Sequence, residues 1–111
     1  MASAQSETTE RVNQLQIAEQ TMQTYLQQKQ NFQTQQLEVE SALKELENTT
    51  DSYKIIGNIM VKSSKDDLVK ELDSKLEMLS VRIKAIEKQE EKLKEKTEEL
   101  QKEILSGIEN K

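Results

Sequence analysis

The chain has 111 residues, of which 33% are apolar, 33% charged and 3% aromatic, with two Gly and no Pro, Cys, His or Trp. Three aromatics (Tyr25, Phe32, Tyr53) cannot fill a globular core, whereas Glu, Lys, Gln and Leu with almost no helix breakers is the composition of long helices and coiled coils. A net charge of −5 argues against nucleic acid and anionic membranes as partners, because phosphates are bound largely through Lys and Arg.

Residues 1–8 carry no apolar period and are expected to form a flexible leader. From 9 to 48 the sequence reads as one helix. Leu15, Met22 and Leu43 fall on one core site of a heptad, and Ala18, Tyr25, Phe32, Val39 and Leu46 on the other. Lys29 and Gln36 also fall on the first core site, so the seam is imperfect. Val12, Ile17, Leu26 and Leu37 lie off it. A helix of this length spans about 60 Å.

The run Thr49-Thr50-Asp51-Ser52 stops this helix with residues that prefer turns and caps. Two short runs rich in β-branched residues follow, across 53–62, separated by Gly57-Asn58. A Gly-first dipeptide suits a two-residue type II′ hairpin turn. Pairing across it sets Ile56 against Ile59, Ile55 against Met60 and Lys54 against Val61, so both faces of the hairpin carry apolar side chains.

The second helix is expected over 65–105, with 106–111 as a frayed tail. Leu72, Leu79, Ile86, Leu93 and Leu100 recur every seventh residue, with Val69, Leu76, Ile83 and Ile104 between them. Glu90 and Thr97 occupy the remaining intervening sites and either weaken the seam or set its register. Ser64 reads as the N-cap, with Asp66 and Asp67 at the positive end of the helix dipole. The acid-first pairs Asp66/Lys70, Glu71/Lys75, Glu90/Lys94 and Glu98/Lys102 each add about 0.2–0.5 kcal/mol to a solvated helix.

The expected fold is therefore mainly α: a long antiparallel two-helix coiled coil with a central β-hairpin, in one unit covering 1–111. An isolated apolar hairpin is marginal in water and leaves its edges open to other chains. Hairpins from several chains are expected to join in a shared β-barrel, through Tyr53, Ile55, Ile56, Gly57, Asn58, Ile59, Met60 and Val61.

These residues resemble the β class of prefoldin subunits, in its archaeal form. The resemblance runs from about Gln14 to Ile104. It is carried by Gln28-Lys29-Gln30 in the first helix and by Tyr53-Lys54, Gly57-Asn58-Ile59 and Val61-Lys62 in the hairpin. In the second helix it rests on Glu71-Leu72, Leu76-Glu77 with Leu79, Arg82-Ile83 and Glu87-Lys88-Gln89-Glu90. A single hairpin fits the β class and not the α class. The resemblance implies an ATP-independent chaperone that captures unfolded proteins and delivers them to a group II chaperonin. It further implies a hexamer of two α-class and four β-class subunits, a double β-barrel body and six coiled-coil tentacles that hold clients near their tips.

The apolar residues nearest the chain ends, Val12, Leu15, Ile17, Leu100, Ile104, Leu105 and Ile108, are the candidate client-binding set. Leu15, Leu100 and Ile104 also fit the last turns of the seam, whereas Ile17, Leu105 and Ile108 lie off it. Enzymatic chemistry is not expected. The missing His and Cys remove the commonest general base, the thiolate nucleophile and the usual zinc ligands. Glu87/Glu91 and Glu95/Glu98/Glu99 suit a solvated helix face, with nothing apolar around them to raise a carboxylate pKa. Gly57 and Gly107 make no phosphate-binding loop. No catalytic residue, cofactor or metal site is assigned.

No stretch approaches the roughly 20 apolar residues of a membrane span, and the N-terminus lacks the pattern of a signal peptide. A cytoplasmic location is the expectation. The alternative function is a structural coiled-coil adaptor that tethers fixed protein partners.

Overall fold

The computed structural model describes residues 2–109. The element order is α1 (Ala2–Glu47), β1 (Ser52–Ile56), β2 (Ile59–Ser63) and α2 (Lys65–Glu109). Two units divide it. One combines α1 through Lys29 with α2 from Ala85; the other runs from Gln30 to Lys84 and contains the hairpin.

In the hairpin unit the interior is made by Val39, Leu68, Leu79 and Ile83, with Leu79 only 1% exposed. Phe32, Gln36, Leu43, Leu46, Val69, Leu72 and Leu76 are half-buried around them. All of these except Leu68 sit on the alternating three-and-four spacing of the heptad, including polar Gln36. The second unit repeats the pattern: Ala18 and Leu100 are buried, with Leu15, Met22, Tyr25, Ile86, Leu93 and Ile104 half-buried beside them.

The end of α1 is closed by local chemistry. The N–H groups of Asn48 and Thr49 donate to the carbonyls of Glu45 and Leu46, at 3.3 and 3.4 Å, which tightens the last turn. Thr49 Oγ1 donates to the Glu45 carbonyl at 2.7 Å, and Lys65 Nζ reaches the Glu47 carbonyl at 3.2 Å. At the start of α2, Ser64 Oγ accepts the Asp67 N–H at 3.1 Å, the cap expected from the sequence. Asp66 and Asp67 occupy its first turn.

The hairpin has the predicted register, with Ile56 opposite Ile59, Ile55 opposite Met60 and Lys54 opposite Val61. Gly57 has φ +61°, and no other described residue has positive φ. A type I′ turn needs positive φ at both central residues, so the turn belongs to the II′ class. At the open end of the hairpin, Ser52 Oγ donates to the Ser63 carbonyl at 2.7 Å, and Ser52 is 6% exposed.

Three expectations are corrected. The helix starts at Ala2, not near residue 9, because the leader contains neither Pro nor Gly to interrupt it. Residues 106–109 continue α2, where a frayed tail was expected. Here a Cβ on Gly107 would lie 3.3 Å from Thr8 Oγ1, so the two helices remain closely packed at this level through small residues. Met1, Asn110 and Lys111, assigned to the leader and tail, lie outside the described residues. Finally, Glu71 and Glu90 do not pair along α2 with Lys75 and Lys94. Glu71 reaches Lys54 at 2.7 Å, with the two side chains still 55% and 40% exposed, and Glu90 reaches Lys29 at 2.8 Å in a more sheltered position.

Candidate functional site

The first candidate surface is the hairpin. Strand geometry sends alternate side chains to opposite faces, so a lone two-stranded ribbon cannot bury both. Tyr53 is 55% exposed, Ile55 69%, Ile56 58%, Ile59 67%, Met60 66% and Val61 43%. The ion pair of Lys54 Nζ with Glu71 Oε1 links the ribbon to α2, while the buried Ser52 bonds across the ribbon itself, to the Ser63 carbonyl. Six apolar side chains therefore stand open on the hairpin.

The second candidate surface lies where the helices carry the chain's ends. Ile17, Leu105 and Ile108 are exposed by 62%, 58% and 56%, and Val12 by 36%. Leu15 and Ile104 are half-buried seam residues. Leu100 is 5% exposed and belongs to the seam, so it offers no client-facing surface here and is withdrawn from the candidate set. Arg11 Nε and Glu103 Oε2, 3.1 Å apart, tie the two helices together beside these residues.

Several contacts were not visible in the sequence. The Arg82 guanidinium stands 5.8 Å from the centre of the Phe32 ring, a cation–π arrangement linking α1 to α2. Lys29 and Glu90 form their ion pair on core heptad sites. Met78 and Val81, 44% and 62% exposed, form an apolar stretch on the outside of α2 that the heptad reading passed over. Spacing alone could have flagged it, since positions three apart share a helix face.

These two surfaces define a class of protein: a two-helix subunit of coiled-coil type with an exposed apolar hairpin. The comparisons with known proteins give the family. A family model described as "Prefoldin subunit" matches residues 9–109. The prefoldin subunit beta of Thermococcus kodakarensis is 42% identical over 100 residues, covering 87% of this chain and 86% of the relative. That of Methanospirillum hungatei is 38% identical over 103 residues, covering 90% and 86%. The crystal structure of the prefoldin beta subunit from Thermococcus strain KS-1 matches with TM-score 0.85 and 40% identity, covering 90% of each chain. The chain belongs to the prefoldin subunit family and is of its β class. No helix among the described residues is long and apolar enough to cross a membrane.

Proposed function

We propose that this chain is a subunit of an ATP-independent holdase, which captures unfolded polypeptides through the exposed residues near its helix ends and passes them to a group II chaperonin. Its hairpin joins those of an α-class subunit and further β copies in a hexamer of two α and four β chains, working in the cytoplasm without a cofactor or catalysis of its own. The observation that carries this reading is the presence of two exposed apolar sets in different units of one chain, the hairpin residues 53–61 and Ile17, Leu105 and Ile108. The first set is large enough to demand permanent cover. The second consists of scattered side chains that suit weak, repeated contact, which gains strength when several subunits engage one client.

The test is to co-express the chain with an α-class subunit, weigh the complex by native mass spectrometry, and measure suppression of client aggregation without nucleotide. A hexamer that suppresses aggregation supports the reading. Tight binding to one folded partner, with no effect on aggregating clients, would identify a structural adaptor instead.

A further inference from the structure

The chain holds four methionines and no cysteine, so all of its oxidisable sulfur is thioether. Among the described residues, Met22 is half-buried in the seam, whereas Met60 is 66% exposed and Met78 44%. These two exposed sulfur side chains share one neighbourhood in the hairpin unit. Met60 of β2 stands opposite Ile55 of β1, and Ile55 lines an open groove of about 800 Å³ together with Tyr53, Leu46, Leu72 and Met78. A chain that covers Ile55 therefore comes up against both methionines.

We propose that Met60 and Met78 are sites of oxidation in the unassembled chain, and that their conversion to sulfoxides blocks assembly until it is reversed. This rests on the reading that subunits join through the hairpin, and it adds a chemical control over that joining.

The step is a two-electron oxidation of the thioether by a peroxide. Sulfur attacks one oxygen of hydrogen peroxide, so that the S–O bond forms as the O–O bond breaks; the proton on the transferred oxygen passes to the departing one, which leaves as water. Nothing is required of the protein beyond a sulfur that the peroxide can reach.

The product changes the surface in kind. An unbranched thioether adapts to irregular apolar neighbours, which suits a side chain that must pack against another subunit. A sulfoxide is polar and chiral. The pairing of the strands puts Met60 on the same face of the ribbon as Tyr53 and Ile55, so its new oxygen would enter an apolar patch and be covered there without a donor. Met78 would carry the same change into the wall of the groove. Cover acts in the opposite direction. Once a partner lies over Ile55, peroxide no longer reaches Met60, so assembly protects the sulfur and oxidation prevents assembly. Met22, already half-buried in the other unit, takes no part.

The test treats the dilute full-length chain with hydrogen peroxide, removes the oxidant, adds an α-class subunit and weighs the products by native mass spectrometry. Peptide masses should show one added oxygen at Met60 and at Met78, and the yield of complex should fall several-fold. Treatment with the two methionine sulfoxide reductases should restore it. A chain carrying Met60→Leu and Met78→Leu should assemble equally well with and without peroxide, whereas Met22→Leu should remain as sensitive as the unsubstituted chain. In complex assembled beforehand, Met60 should oxidise several-fold more slowly than in the free chain. Undiminished assembly of a chain with sulfoxide at both positions, or equal sensitivity of the double Leu variant, would overturn the proposal and leave the hairpin reading standing. Untreated chains that fail to join an α-class subunit would overturn both. If the double Leu variant does not assemble, the reductases carry the test, and a yield that they do not restore would overturn the proposal.

Discussion

Lys29 Nζ lies 2.8 Å from Glu90 Oε1, and the two side chains are 20% and 18% exposed, at heptad sites where a coiled coil normally places apolar residues. Each would be an isolated charge in the seam if the helices slid past one another. The pair thus links α1 to α2 at one alignment. Removing one partner strands the other, at a cost of about 1–3 kcal/mol for a half-buried charged group. Glu90→Leu and Lys29→Met should each lower the thermal midpoint, whereas the reversed pair Lys29→Glu with Glu90→Lys should recover most of the loss. Replacing both by apolar residues should preserve or raise stability while loosening the alignment. Thermal melts with disulfide mapping across the seam check this; additive losses in the reversed double variant would contradict the pairing.

Gly57 tests the turn in isolation. A Cβ there meets no atom within 4 Å, so only the backbone conformation opposes substitution. At φ +61° an L side chain costs about 1–2 kcal/mol. Gly57→Ala should weaken assembly. Concentration-dependent native mass spectra would show less complex for the variant than for wild type; equal behaviour of the two would remove the turn from the account.

Much of this architecture is legible from spacing. The positions that hold Lys29, Gln36, Glu90 and Thr97 are half-buried like their apolar counterparts, because the heptad period fixes the seam regardless of side-chain type. The hairpin register is equally legible, since a two-residue turn leaves no choice of pairing. What the sequence conceals depends on alignment between distant segments. That Lys29 meets Glu90, or that Arg82 covers Phe32, follows only once the register of α1 against α2 is known. The close packing of Thr8 and Gly107 was missed for a different reason: small residues leave no apolar period to read. Leu100 and Ile17 show the same limit at the candidate site, as both are apolar and near the ends, yet one is seam and the other surface.

The hairpin should control assembly. Ile55→Lys, Ile59→Lys and Val61→Lys together would put uncompensated charge into shared strands, at a cost of several kcal/mol. All three positions are exposed in the single chain, so its helical content should not fall. Native mass spectrometry should show monomers or small species; an intact hexamer carrying all three changes would contradict the shared-barrel reading.

Client capture is tested most directly by Ile17→Ser, Leu105→Ser and Ile108→Ser in one chain. These side chains are more than half exposed, so neither the melting temperature nor the mass of the complex should change. Each offers a client about 1.5–3 kcal/mol at full burial, and the loss should be felt at every tip that a client touches. Light scattering of an aggregating client, with the substituted hexamer and no nucleotide, is the decisive measurement. The account predicts a graded loss of protection as the substitutions accumulate; undiminished protection by the triple variant would contradict it and move capture to another surface of the complex.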